Sequence, residues 1–348
     1  MGDKLCGKPI FDTPFGLNLM PASRWPGPDT MPGVRVHTTP QTQHKGDDLL
    51  SNTINGPLPT VAIGGLGGSG TRVFAALLRS AGVRIGEALN EELDNLWFTV
   101  LFKRQAWTES SPSADDVETS IRLFCQAMTH GLDGSGLDPA DRRLLEHLRA
   151  HLPPHGRWRC GANALHADSL MSSGPNGDTD QPWGWKEPNT HIFLPHLDRL
   201  IPGFRYVHVV RNGLDMAFSG NTWQARHWSH LYPIHGGHDD PLPVRQLRYW
   251  AAANRATLDY GALHMQERFL VMSYESMCSH PEAHWLRLLR FLGQPADKKL
   301  PEELVRPTSI GRSEQHDLSV FSETDLAVAR ALQEEVALLG QSHETGGS

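Results

Sequence analysis

Cysteine is scarce in this chain. Its 348 residues hold four, Cys6, Cys125, Cys160 and Cys278, and no two form a CxxC pair. That argues against a zinc knuckle or a disulfide scaffold and fits a reducing cytoplasm. No apolar run approaches bilayer-spanning length, and the N-terminus lacks the apolar core of a secretory signal peptide. Positive charge is in deficit too: 32 Lys and Arg face 39 Asp and Glu, a formal net charge of −7. Nucleic acid and large polyanionic substrates are therefore disfavoured, and any anion site must be a local basic pocket. With 39% hydrophobic and 20% charged residues, the composition is that of a soluble globular protein with ample length for a core.

Glycine is concentrated where the rest of the chain is organised. Val61 to Ile63 reads as a short buried strand, Gly64 to Gly70 as a turn, and the residues from Thr71 as a helix. Val73, Phe74, Leu77 and Leu78 share one face of that helix, with Ala75 and Ala76 as strong helix formers. Five glycines surround Leu66 and Ser69, so the turn can aim free backbone N–H groups and a helix N-terminus at one point. Such a point binds an anion, usually a phosphate.

Three phosphates compete for it. Gly65, Gly67 and Gly70 satisfy the dinucleotide pattern GxGxxG, with Glu87 or Glu91 about 20 residues on as a ribose-binding acid. Laid on the mononucleotide loop GxxxxGK[ST], the chain has Thr71 where the lysine belongs and Arg72 where the magnesium-binding hydroxyl belongs. That reading loses most of its weight. The third treats Ser69, Gly70, Thr71 and Arg72 as a metal-free cradle for one terminal phosphate. The loop alone leaves the first and third open.

Residues 1–57, with eight prolines and little periodicity, read as an irregular arm, 58–340 as the folded domain and 341–348 as a flexible tail. Val83 to Ile85 is extended, and 90–98 is acidic and helix-like. Residues 115–131 and 139–151 read as helices, the second opened by Asp138 and Pro139, and 172–181 as a surface loop. Trp183 to Pro188 forms a short strand ending in a charged turn, with Asn189 capping a short helix. Arg205 to Val210 is a strand, followed at once by Arg211, Asn212, Gly213 and a helix to about Ser219. A long helix over 244–267, a strand over 269–275, a helix over 281–292, a loop over 309–313 and a helix over 323–339 complete the chain. Strands alternating with helices predict an α/β fold with a mostly parallel sheet.

Five stretches, in order over about residues 58–340, resemble the sulfotransferase superfamily, enzymes that use 3′-phosphoadenosine-5′-phosphosulfate (PAPS). The loop with Ser69-Gly70-Thr71 resembles the 5′-phosphosulfate loop, and WGWKEP (183–188) the KxP element. RYVHVVRNGLDMAFS (205–219) resembles the 3′-phosphate segment, with Arg211 and Ser219 as ligands. FLVMSYESMCSHPEAHWLRLLRFLG (269–293) resembles the later "yEdl…FLG" segment, and Ile310-Gly311-Arg312 the basic loop that closes over the nucleotide. The resemblance implies a three-layer, P-loop-like α/β fold with helices flanking a mostly parallel sheet. One departure stands out: the family's loop carries Lys or Arg just before Ser-Gly-Thr, and here that residue is Gly68. Lys186 is the natural replacement cation, with Arg72 second.

The implied reaction is in-line sulfuryl transfer from PAPS to a hydroxyl or amine of a small-molecule acceptor, with no metal. Catalysis of this kind rests on positioning and electrostatics. Gly67, Gly68, Ser69, Gly70, Thr71 and Arg72 would hold the 5′-phosphate with Lys186, while Arg211, Ser219, Gly311 and Arg312 would hold the 3′-phosphate. The general base would be an acid after the first helix (Glu91, Glu92 or Asp94) or a histidine (His166 or His191), with Glu91 or Glu92 preferred. Plainer roles compete: Lys186 and Glu187 as an exposed ion pair, Arg211 and Arg312 as solvated ends, the acids as a polar helix face, the histidines as structural. His227, His230, His235 and His238 fall in a Pro- and Gly-containing loop that lacks the single rigid face of a metal site. The rivals are an NAD(P)- or FAD-dependent oxidoreductase and a catalytically inactive nucleotide-binding protein. The partners expected are a small-molecule acceptor, no nucleic acid and no membrane span, with a homodimer left open.

Overall fold

The computed structural model describes residues 60–132, 136–152, 170, 174, 182–237, 239–305 and 310–341. The arm over 1–57, His166, His238, Ser309, the 172–181 loop apart from Gly174, and the tail beyond 341 lie outside the described residues.

The chain enters the sheet through β1 (Val61–Gly65), buried along its whole length, and turns at the glycines into α1 (Thr71–Ser80). The extended piece after α1 makes one bridge, Arg84 to Trp183. The acidic stretch expected to be helix from residue 90 is instead a turn. The Asn90 side chain accepts from the N–H groups of Glu92 (3.0 Å) and Asp94 (2.8 Å), and Leu93 sits at φ 61°. Local side-chain bonds of this kind compete with helix formation. Asn95 then caps α2 (Leu96–Phe102) by accepting from the Phe98 N–H at 3.0 Å. Ser113 caps α3 (Ala114–Thr129), and Asp138 with Pro139 opens α4 (Pro139–Ala150).

β2 (Gly184–Lys186) is followed directly by Glu187. The carboxylate of Glu187, not the expected Asn189, caps the next turn: it accepts from the Asn189 N–H at 2.6 Å. A 3-10 stretch, Pro188–Phe193, leads to α5 (Leu194–Leu200). β3 (Arg205–Val210) has its expected bounds, and Asn212 caps the short α6 (Gly213–Ala217). After α7 (Trp223–Trp228) comes α8 (Leu242–Tyr260), which leaves the α-helical path in a π-turn over Gly261–Met265 rather than running on to 267. β4 (Phe269–Ser273) stops earlier than its apolar run suggests, because Ser273 caps α9 (Tyr274–Ser279). α10 (Pro281–Phe291) and α11 (Glu323–Gln341) complete the described chain.

All four strands are parallel, in the order β2-β1-β3-β4. The chain leaves β1 toward β2 and returns to β3 on the other side of β1, so the topological switch lies between β1 and β3. Ligands of open α/β sheets gather there, beyond the carboxyl ends of the strands. Strand alternation feeds two cores, one on each face. Val61, Ile63, Val207, Val209, Leu270 and Met272 pack with Phe74, Leu77 and Leu78 of α1 and Trp285, Leu288 and Leu289 of α10. Ala62, Trp185, Tyr206, Val210 and Val271 belong to the opposite core with Phe98, Phe124, Leu197, Trp250 and Leu332. The result is a three-layer α/β fold with a helical layer on each face of the parallel sheet. Its second face is ring-rich: Trp185 lies 5.0 Å from Phe124 and 5.4 Å from Phe204, centroid to centroid. Truncating one such buried ring to alanine costs about 3–5 kcal/mol. Among the described residues no helix is long and apolar enough to cross a membrane.

Candidate active site

The glycine corner is built from backbone conformations closed to most side chains. Gly68 sits at φ 101° and Gly70 at φ 88°, the latter as the left-handed N-cap of α1. A Cβ at Gly70 would stand 2.2 Å from the Tyr274 ring, so the loop also packs too closely there for anything larger. Two loop N–H groups are spoken for: Ser69 donates to the Leu66 carbonyl (2.9 Å) and Gly67 to the Gln224 side-chain oxygen (2.8 Å). The N–H groups of Gly68, Gly70 and Thr71 meet no acceptor among the described residues. The Ser69 hydroxyl is buried without a hydrogen-bond partner there, and Thr71, two residues on, is buried too. Arg72, at the second position of α1, is exposed. Donors without acceptors at a helix N-terminus suit an oxyanion.

The second corner follows β3. Arg211 is 4% exposed, so it is not a solvated strand end. Its Nη1 donates to the Gly68 carbonyl at 3.2 Å, its Nη2 lies 3.4 Å from Asp215 Oδ2, and its guanidinium carbon stands 5.3 Å from the Tyr274 ring centroid. Ser219 Oγ accepts from the Asn221 N–H (3.2 Å) and lies 3.5 Å from where a Gly68 Cβ would be. Gly68, Arg211 and Ser219 therefore share one neighbourhood. Asp215, absent from the sequence-derived set, brings in the C-terminal loop. It accepts from the N–H groups of Gly311 (2.9 Å) and Ser313 (2.8 Å) and from the Ser313 hydroxyl (2.9 Å). Burial pushes its carboxyl up, but these bonds and the Arg211 charge outweigh that and hold it below the ordinary carboxylate range. Gly311 (φ 80°) and the half-buried Arg312 are thus anchored next to Arg211's own partner.

Beyond β2 the charges are buried in pairs. Lys186 Nζ, on a residue 2% exposed, donates to Asp94 Oδ1 (2.5 Å) and to the Glu92 carbonyl (2.8 Å). Burial raises the Asp94 carboxyl, yet the charges of Lys186 and Lys103 take it below its usual range. Lys186 and Glu187 are not the exposed ion pair that their adjacency suggests, because Glu187 pairs with Lys103 at 2.6 Å. Neighbouring strand residues point to opposite faces. The acids of the 90–94 turn are unequal: Glu91 is exposed, while Glu92 contributes its main-chain oxygen to Lys186. His191 is fully buried, with Nδ1 2.9 Å from the Pro188 carbonyl and Nε2 lacking a partner among the described residues. Burial pushes it down to about 4, so it is neutral at physiological pH. Among the described residues no group of three or more His, Cys, Asp or Glu is arranged to hold a metal ion.

Comparison with known proteins bears on this geometry directly. The family model described as the Sulfotransferase family matches residues 59–298, which contain both corners and the buried charge pairs. The chain belongs to the sulfotransferase family. Membership makes it a transferase. Among solved structures, this sulfotransferase is similar to the sulfotransferase domain of the Synechococcus PCC 7002 olefin synthase (16% identity, 90% of this chain and 100% of that one, TM-score 0.40). It is also similar to STF9 from Mycobacterium avium (14% identity, 83% and 79%, TM-score 0.40). A third is a retinol dehydratase solved with androsterone and inactive cofactor PAP (13% identity, 87% and 87%, TM-score 0.32). No curated protein gives a significant match.

Sequence reasoning missed Asp215, Tyr274, Gln224, Asn189 and the Lys103–Glu187 pair. Asp215 had a signal, its place four residues after Arg211 at a helix start. Gln224 and Asn189 had none, since the contacts that matter to them run across 157 and 35 residues of chain.

Proposed function

We propose that this sulfotransferase moves a sulfuryl group from PAPS to a hydroxyl or amine of a small-molecule acceptor by in-line transfer. The observation that carries the reading is the Arg211–Gly68 contact, which joins two donor-rich corners across the β1/β3 switch point. Two such corners suit a ligand with two separated phosphates. The cradle fits the 5′-phosphate: among the described residues it has three N–H groups without acceptors and a buried hydroxyl without a partner, at a helix N-terminus. Ser69, Gly70, Thr71 and Arg72 hold that end, with Gly68 through its N–H. Arg211 and Ser219, with the Gly311–Arg312 loop tied down by Asp215, hold the 3′-phosphate.

In this scheme the acceptor's oxygen or nitrogen forms a bond to sulfur as the bond from sulfur to the 5′-phosphate oxygen breaks. The acceptor's proton leaves for a base. Lys186 supplies the cation that the loop lacks at Gly68, and Asp94 holds its ammonium in place meanwhile. Glu91 or Glu92 takes the proton; His191 is the alternative, through its neutral Nε2. An oxidoreductase would need a sheet strand directly after α1, ending in a ribose-binding acid. The segment before Glu87 makes a single bridge instead.

Calorimetric titration with 3′-phosphoadenosine-5′-phosphate and with NAD tests the donor, and radiolabelled PAPS with a panel of acceptors tests turnover. Preference for NAD would end this reading. Nucleotide binding with no turnover on any acceptor would favour an inactive nucleotide-binding protein.

A further inference from the structure

Gly67 does not face open space. A Cβ there would stand 2.6 Å from the Asn221 side-chain nitrogen, and its N–H is taken by Gln224 Oε1 at 2.8 Å. Gln224 is 6% exposed, and its Nε2 donates to Asn189 Oδ1 at 2.9 Å. The same Asn189 oxygen accepts from the Trp228 indole at 3.0 Å. Asn189 in turn donates through Nδ2 to both oxygens of Glu187 (3.0 and 3.1 Å), and Glu187 is paired with Lys103.

This chain of bonds has a direction. An ionised carboxylate only accepts, so Asn189 must turn its NH2 toward Glu187 and its oxygen away. The indole N–H only donates, which demands the same orientation of Asn189 independently. Gln224 must then present its NH2 to Asn189 and its oxygen to the loop, where a backbone N–H has to meet it. A buried negative charge at Glu187 thus dictates, three bonds away, which atom faces Gly67. With glycine at 68, the loop has no side chain of its own to brace it at that point. The brace comes from across the site.

We propose that Gln224 is a positioning residue for the glycine loop, oriented through Asn189 by the buried Glu187–Lys103 pair. By holding the Gly67 N–H it leaves the N–H groups of Gly68, Gly70 and Thr71 as the ones offered to an anion. The inference rests on the donor reading above only for the nature of that anion.

The test uses the full chain and two variants. Gln224→Met keeps the side-chain length and removes both hydrogen bonds, whereas Gln224→Glu keeps an acceptor for Gly67. Amide hydrogen exchange without nucleotide, read on a peptide covering residues 64–70, should quicken about tenfold in Gln224→Met and by clearly less in Gln224→Glu, which keeps the acceptor for Gly67 but turns a second acceptor toward Asn189 Oδ1. Unchanged exchange in the methionine variant, or equal loss of protection in both, would overturn the proposal. Calorimetry then compares 3′-phosphoadenosine-5′-phosphate with adenosine 3′-phosphate, which lacks the 5′-phosphate. In Gln224→Met the bisphosphate should lose about fivefold to tenfold in affinity and the 3′-phosphate less than about twofold. Equal weakening of both would assign Gln224 a merely structural role and overturn the proposal. Wild-type protein that binds neither nucleotide would sink the donor reading instead, while the exchange result would still decide the role of Gln224.

Discussion

Arg211 Nη1 donates to the carbonyl oxygen of Gly68 across 3.2 Å, joining residues 143 positions apart. The bond exists because β1 and β3 are adjacent parallel strands, with Gly65 paired to Val209, so the turns that follow them leave the sheet side by side. Tyr274 packs under both, against Gly70 and beneath the guanidinium. A buried cation that touches the loop at Gly68, the glycine whose Cβ would lie 3.5 Å from Ser219 Oγ, stands where the proposed nucleotide needs one.

Arg211→Ala should therefore discriminate between nucleotides. Losing a charged hydrogen-bond donor costs about 1.5–3 kcal/mol, so 3′-phosphoadenosine-5′-phosphate should bind about 10-fold to 150-fold more weakly. Adenosine 5′-phosphate, which lacks the 3′ group, should lose much less. Arg211→Lys should not restore the difference, because an ammonium cannot reproduce the fork that spans Gly68 and Asp215. Calorimetry reads both, and equal losses for the two nucleotides would remove Arg211 from the 3′-phosphate site.

Gly68→Lys puts back the residue type found in the family's usual loop, yet it should not improve the enzyme. The position sits at φ 101°, where an L-residue carries strain of about 1–3 kcal/mol. Urea unfolding should show a loss of that order, and nucleotide affinity should fall as the loop distorts. A variant with higher turnover and unchanged stability would contradict the assignment of Lys186 as the compensating cation.

Much of this was legible in residues 58–219, and the reasons are physical. The strand–glycine–helix passage, the β-branched run over 205–210 and the proline-led helices each depend on local pattern, and local pattern is what sequence shows. The helix expected at residues 90–94 failed because the Asn90 side chain captures two backbone N–H groups, an outcome that apolar periodicity does not register. The pairing of Lys186 with Asp94 rather than with Glu187 follows from strand alternation together with a turn brought in from another part of the chain. Gln224 was invisible and Asn189 was legible only as a helix cap, because the bonds that join them to the loop are tertiary contacts.

The buried histidines of the second core give the protein an acid-sensitive stability. His208 is fully buried, its Nε2 2.9 Å from Asn254 Oδ1 and its Nδ1 3.2 Å from the Tyr206 hydroxyl. Burial, with the nearby His191, pushes it down to about 3, and burial takes His191 itself to about 4. Unfolding returns both to about 6.5. The unfolded chain then binds more protons below that value, so stability is intact above it and declines as the pH falls toward 4. Each histidine contributes a slope of about 1.4 kcal/mol per pH unit in that window. Urea unfolding at pH 7, 6 and 5 should show this fall, and His208→Gln should have a shallower one; an unaltered slope would remove His208 from it.

The Lys186–Asp94 pair separates stability from chemistry. Lys186→Met leaves the Asp94 carboxylate without its ammonium in a buried setting, at a cost of about 3 kcal/mol. Neutralising the partner as well, in Lys186→Met with Asp94→Asn, removes the stranded charge and should recover most of that stability. Turnover should not recover, because the cation proposed to offset charge on the departing 5′-phosphate is still missing, while affinity for the product nucleotide should fall far less than turnover. Denaturant melts, calorimetry and a radiolabelled transfer assay on the same three proteins decide the matter. If turnover returned with stability in the double variant, Lys186 would be a structural counter-ion to Asp94, and the loop's missing cation would have to be sought at Arg72.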